Sequence, residues 1–545
     1  MLSLTAGGCS DTAFSNDLWD NLTSSKITSD KQITSFTING YKARISGTSV
    51  TSVLPLGTSV TSLAPVITHN GAAVTPESGV AQNFTNPVTY TVTATDGTTE
   101  QYTVSVTVLD AAGMKNANLS VLKVKKGKLQ PDFYSATLSY LDAPIPFSDS
   151  ANPAYNDKQS NSLIADPEIL IASMTINGIA VENGTEHVFS SIKVGPNPVV
   201  IKITSVDKTK TNTYTVNMYR AIPIFKTGAG SYSGINPLED GATQRGVSWP
   251  NPRFSVSGSV VKDNMTGLVW LKNAKQLSLK KYEDAVTAAK SLSGSYGYND
   301  WALPNINEVR SLINFSTSPH IYLNNYFQNF SNTEFWWTST IYMSEADKVY
   351  SLIVNNGVFS FNETNESLYA WAVSGKSELL PQTGQTESYN LTSGFGDDGD
   401  LEKGVPWPSI RFYSDINGTV VDNMTSLMWF NKQTDSSQGW IPTMKYVEKK
   451  INAGIIDNYG FNDWTVPNAK EIETLSNFGK TDITWLNDSG LFNVDNSKWI
   501  WLSTHSTSSA LQARFYNTNI QSITHTSKDF DIYVLPVRQA RIINY

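Results

Sequence analysis

YGYNDWALPN (Tyr296–Asn305) returns 163 residues later as YGFNDWTVPN (Tyr459–Asn468). The flanks repeat in the same order. GVSWPNPRF (Gly246–Phe254) returns as GVPWPSIRF (Gly404–Phe412), DNMTGLVW (Asp263–Trp270) as DNMTSLMW (Asp422–Trp429), and FWWTST (Phe335–Thr340) as WIWLST (Trp499–Thr504). A long phrase kept at a nearly fixed offset marks a duplicated domain. The copies are expected at 225–380 and 383–545.

The decapeptide reads as a turn that opens a helix. Asn305 is an N-cap and Glu308 completes a capping box; Asn468 and Glu471 do the same in the second copy. The helix NINEVRSLIN offers Ile306, Val309 and Ile313 to a core. An earlier helix over about 278–292 places Tyr282, Ala285, Val286, Ala289 and Leu292 on one face. Short β-runs surround both helices, including LVW, VYSLIVNNGVFSF and IYVLPVR. This pattern is α+β.

The first 220 residues alternate like strands. VTYTVTATDGTTEQYTVSVTV (Val88–Val108) is a hairpin around Asp96-Gly97. VVIKITSVDKTKTNTYTVNM (Val199–Met218) echoes it, and ITSFTING (Ile33–Gly40) is echoed by IASMTING (Ile171–Gly178). Two immunoglobulin-like β-sandwiches are expected, at 28–111 and 114–222. The fold class is therefore multidomain: two all-β sandwiches, then two α+β domains. A chain of 545 residues is long enough for several cores. The net charge of −8 argues against a nucleic-acid or anionic-membrane surface.

Cys9, the single cysteine, rules out internal disulfides and Cys-rich metal sites. It lies in LTAGGCS, within the tail 1–27. The stretch reads either as a bacterial lipobox truncated at its start, with Cys9 carrying lipid, or as a free thiol on an unstructured end.

Two resemblances follow from these residues. LSVLKVKKGKLQPDFYSATLSY (Leu119–Tyr140), with Leu129, Pro131, Phe133 and Tyr140, resembles the opening of bacterial cadherin-like sandwiches. The pattern Asp-Asn-x-Thr-Gly-Leu-x-Trp, then Asp-Trp-x-Leu-Pro-x-x-x-Glu, then Trp-x-Ser-Thr resembles the Lcl C-terminal domain. It is carried here by Asp263, Trp270, Asp300, Trp301, Pro304, Glu308, Trp337 and Ser339, and by their partners in the second copy. That resemblance implies a bacterial surface domain akin to the C-type lectin and formylglycine-generating-enzyme group, used in adhesion through sulfated glycans. The chain departs from the pattern at Ala302 and Thr465, which replace an arginine, and at Ser374 and Ser426. It also has Ala289 and Ala372 where the family resemblance implies a cysteine pair.

Among candidate ligand contacts, Trp270, Trp301, Trp429 and Trp464 are assigned to the core. Trp336 and Trp499 are expected to be exposed, on the reasoning that strand alternation turns them away from Trp337 and Trp501. Asp300 and Asp463 are the accompanying carboxylates. Asp397, Asp398 and Asp400 in GDDGDLEKG form an oxygen-rich loop that would suit calcium, with a plain solvated loop as the alternative. The second copy carries 13 basic against 18 acidic residues and the first, over 223–382, 12 against 13. Neither has the positive field a sulfated polymer wants, so a neutral glycan or a protein is the expected ligand. His69, His187, His320, His505 and His525 show no metal spacing, and no nucleophile elbow or phosphate loop is present. The expected function is a non-catalytic bacterial surface adhesin: a sandwich stalk presenting two lectin-like heads to a glycan or surface protein. A self-associating filament or layer subunit and a glycan-processing enzyme are the alternatives.

Overall fold

The structure, a computed structural model, describes residues 28–147, 159–230, 237–317, 319–331, 333–345, 347–353, 357–389, 394–415, 418–506, 509 and 511–539. Cys9 lies outside them. The chain forms two compact units: residues up to 121 with 165–185 and 201–213, and residues 122–164, 186–200 and 214 onward. Strands far outnumber helices, which are few and short.

In the first unit, strands Tyr41–Lys42, Ile33–Ile38 and Val66–His69 form one sheet in that order. Arg44–Ser46, Ser49–Leu54, Thr99–Val108, Val88–Thr93 and Ala73–Thr75 form a second. Alternation buries one face of each, as at Val50, Leu54, Tyr90 and Val92, and Phe36 meets Tyr90 edge-on at 5.4 Å. The Asp96-Gly97 hairpin is present: Asp96 accepts from the Thr98 amide at 2.8 Å and Gly97 takes φ +83°. Asp207 repeats this turn chemistry, accepting from the Thr209 amide at 3.0 Å. The same unit holds the hairpin of Ser173–Ile176 with Ile179–Val181.

In the second unit each repeat builds a four-stranded sheet closed by its own C-terminal end. The first runs Phe254–Ser257, Val260–Asp263, Val269–Leu271, Val373–Ser374, and the second Phe412–Ser414, Val420–Asp422, Leu427–Trp429, Val537–Gln539. The motif tryptophans Trp270 and Trp429 sit on the third strand, fully buried, and Trp301 and Trp464 are buried too. Both capping boxes form, on helices Ile306–Leu312 and Ala469–Glu473. The helix Tyr282–Lys290 buries Tyr282, Ala285, Val286 and Ala289, the face the spacing predicts. Gly267 and Ser426 occupy the same left-handed turn position, at φ +79° and +61°. That is why the pattern favours glycine there and why Ser426 is a strained substitute.

The copies are not separate beads. One hydrophobic core runs through both, and the segments leading into each copy straddle the pair. Thr227 and Thr383 accept backbone bonds from Phe315 and Phe478 of their own copies, at 3.0 and 2.9 Å. The acidic turns Asp240–Thr243 and Asp398–Leu401 pack on the Trp-x-Ser-Thr strand of the opposite copy.

Candidate functional site

The sequence candidates fall into different roles. Trp336 is 1% exposed and donates its indole N–H to the Ala274 carbonyl at 3.1 Å. Its neighbour Trp337 is equally buried and donates to Lys280 at 2.8 Å. The expectation of an exposed Trp336 is therefore corrected: its strand, Phe335–Ile341, is covered on both faces, so alternation separates two buried sides. Register explains the rest. Trp336 occupies the place of Ile500, whereas Trp499 aligns with Phe335 at the strand entrance. Trp499 is 37% exposed, with one face stacked on Phe515 at 4.9 Å and 20°. Beside it Lys498 lies over Tyr533 at 5.1 Å, and the Tyr533 amide bonds the Trp499 carbonyl at 3.2 Å.

Asp300 and Asp463 act as struts from the Asp-Trp turn to the closing strand. Asp463 forks onto Arg538 at 2.6 and 3.0 Å, and Arg538 lies over Phe461 at 4.0 Å. In the first copy Ser374 replaces that arginine, so Asp300 accepts from the Ser374 hydroxyl and from the Gly375 amide at 2.9 Å. Burial pushes the Asp300 carboxyl up, but these donors and nearby Lys403 hold it below its ordinary range.

The acidic loop does not form a cation cage. Asp397 caps its helical turn and accepts from the Tyr389 amide at 2.7 Å. Asp400 accepts from the Gly394 and Gly396 amides at 2.8 and 2.9 Å. Asp398 points the other way, into the first copy, onto the Thr340 hydroxyl at 2.7 Å. Among the described residues no three His, Cys, Asp or Glu converge on a metal position. The three carboxylates thus accept separate hydrogen bonds, and Asp398 is directed away from the other two.

What the sequence reading missed is the reciprocal relay these acids build. The Thr340 hydroxyl accepts from the Ile306 amide, at the start of the capped helix, at 2.9 Å, and donates to Asp398. In the second copy Thr504 accepts from Ala469 at 2.9 Å and donates to Asp240 at 2.7 Å; Thr227 adds a bond at 2.6 Å. Arg245 then forks onto the opposite capping-box Glu471 at 3.0 and 2.8 Å. The signal was the doubled Thr-Gly and Asp-Gly pairs in the two lead-ins. Gly399 is obligatory there, since a Cβ would sit 2.0 Å from the Glu387 carbonyl oxygen.

Burial pushes the Asp240 carboxyl up to about 6 and the Asp398 carboxyl up to about 7, against the Thr hydroxyls that lower them. A carboxyl raised on folding contributes stability that is complete below its unfolded value and lost as pH rises through the folded one. Buried His505 and half-buried His525, both depressed by loss of solvent, act in the opposite sense below their ordinary range. Comparing the parent with Asp398→Asn cancels the histidines. The parent is expected to lose stability relative to the variant between about pH 4 and about pH 7 in urea titrations; parallel profiles would refute the assignment.

Comparison with known families covers most of the chain. The SGBP N-terminal model matches 33–106, the cadherin-like beta sandwich domain 145–221, and the Lcl C-terminal domain 259–374 and again 418–538. No curated protein sequence matches. Solved structures align only loosely. A candidate glycoside hydrolase from Bacteroides thetaiotaomicron aligns at 15% identity over 34% of this chain and 82% of its own, with a TM-score of 0.15. The fibronectin(III)-like modules of Clostridium thermocellum CbhA align at 10% over 34% and 94%, TM-score 0.12. Bacteroides ovatus SGBP-B, in complex with a mixed-linkage heptasaccharide, aligns at 12% over 37% and 76%, TM-score 0.09. Superpositions this loose carry no argument. Among the described residues no helix is long and apolar enough to cross a membrane. The Asp-Asn-x-Thr, Asp-Trp and Trp-x-Ser-Thr signatures thus belong to two tandem Lcl C-terminal domains, which this chain carries behind an SGBP N-terminal domain and a cadherin-like β-sandwich.

Proposed function

We propose that this chain is a non-catalytic, surface-exposed glycan-binding protein of a bacterium. The observation that carries the reading is the SGBP N-terminal match over 33–106 on the same chain as two Lcl domains. SGBP denotes surface glycan-binding proteins. The Lcl pair serves as a lectin-like head, and Cys9, if lipidated, anchors the chain. Within the head, Trp499 is the contact residue. Phe515 stacks on one face of its indole, and the exposed part offers a flat apolar surface to the C–H face of a sugar ring. Phe335 takes this place in the first copy.

The test is a glycan array on the intact chain at low and high salt, followed by titration of the best ligand. Trp499→Ala is expected to weaken binding by about tenfold or more. Unchanged affinity would remove Trp499 from the site. A blank array in every condition would sink the glycan reading, and concentration-dependent light scattering would then favour an assembly subunit.

A further inference from the structure

A cleft of about 760 Å³ lies elsewhere, within the first unit. That falls in the range of small-ligand sites, which concentrate where modules meet. By contrast the void beneath Trp249 and Arg310 in the second unit is only about 70 Å³, room for a few waters. The walls of the cleft come from chain that flanks the repeated Thr-Ile-Asn-Gly phrase. One wall is the chain that follows Asn39-Gly40, from Tyr41 to Ser46. The other is the chain around Asn177-Gly178, from Leu170 to Met174 and Ala180 to Gly184.

Its chemistry is specific. Two ion pairs span it: Lys42 with Glu182, and Arg44 with Asp166 at 2.5 Å. Two cations thus meet two carboxylates, and the cleft presents no net charge to a ligand. Its floor is small and apolar, made of buried Ala43, Ala172 and Met174. Its rim is polar, with exposed Ser46 and Ser173. The Asn183 amide is held in place by its own donations to the Leu170 and Ala172 carbonyls, at 2.7 and 2.9 Å. Tyr41 adds a half-buried ring. A low apolar floor between hydroxyl and amide edges matches the two kinds of surface on a pyranose: C–H faces and O–H rims. The closed ion pairs give a polyanion nothing to pair with.

We infer that this cleft is a second glycan site, separate from Trp499, and that it takes an uncharged oligosaccharide. The inference rests on the glycan-binding reading and adds a location and a ligand class to it. The intact chain then holds two sites. A chain that engages one polysaccharide at both would bind it more tightly than either site alone, provided the ligand spans them.

The test is calorimetric titration of the intact chain with a panel of neutral gluco-, xylo- and manno-oligosaccharides and one sulfated control. Ser173→Trp and Ser46→Trp put bulk on the exposed rim, and Tyr41→Ala removes the ring; thermal unfolding confirms that each folds. The expected result is that one of two binding events is lost, or weakened by about tenfold or more, in each cleft variant, while the event removed by Trp499→Ala persists. Binding that is unchanged in all three cleft variants overturns the cleft site but leaves the glycan reading standing. Selective uptake of the sulfated control at the cleft overturns the uncharged class. An intact chain that binds none of the panel overturns the inference together with the reading beneath it.

Discussion

Arg411→Ala is expected to lower the stability of the C-terminal region by about 3–5 kcal/mol, because it strips the partner from a buried carboxylate. Arg411 and Asp422 are both almost fully buried, and the guanidinium reaches the two carboxylate oxygens at 3.3 and 3.4 Å. It also donates to the Thr474 carbonyl and lies over Trp407 at 4.1 Å and Trp485 at 5.3 Å. Asp422 in turn accepts from the Met424 amide at 2.9 Å and the Thr425 hydroxyl at 3.0 Å. The Trp-Pro-x-x-Arg-Phe and Asp-Asn-Met-Thr phrases are therefore two halves of one buried pair. Arg253 and Asp263 repeat it in the first copy, so Arg253→Ala should behave alike. Lys42→Ala, which breaks an exposed pair, should cost no more than about 1 kcal/mol. Urea unfolding of the three variants checks the ranking; equal midpoints would contradict it.

The second large effect concerns division of the chain. Residues 383–545 produced without 222–382 should fail to unfold cooperatively. That fragment lacks the Asp240 turn that satisfies Thr504 and the Arg245 fork on Glu471. It also lacks Arg310, which donates to the Gln521 carbonyl at 2.6 Å and to Ser476 at 3.2 Å, and Tyr350, which bonds the Ile520 carbonyl at 3.2 Å and packs edge-on against Phe478. The shared core would be cut open over the same area. Mixed with a separately produced 222–382, the fragment should regain a cooperative transition. Calorimetry decides: a sharp transition in the lone fragment would show that the second copy folds by itself.

Local chemistry was the legible part of this chain. The capping boxes at Asn305 and Asn468, the face of the helix beginning at Tyr282, the Asp96-Gly97 hairpin and the burial of Trp270 and Trp429 depend on neighbours in sequence, and spacing exposes them. Trp336 was misread because alternation names two faces without saying that either meets water. The acidic loop was misread because Asp397, Asp398 and Asp400 look alike in sequence, whereas Asp398 finds its partner in the opposite copy. Asp240 and Thr504 are 264 residues apart, and no periodicity connects them. Trp499 and the cleft beside Tyr41 lie in or next to repeated phrases, yet only the packing gives one an exposed face and the other a cavity.

The exchanged acidic turns also bear on inheritance. A duplicated domain ordinarily leaves a spare, and recombination can delete either copy without harm to the other. Here Asp240 belongs to one copy by sequence and completes the other by contact, and Asp398 does the reverse. Excising either repeat would remove a component from both. The pair is therefore one unit in the sense that matters to a deletion: each repeat carries a part that the other needs.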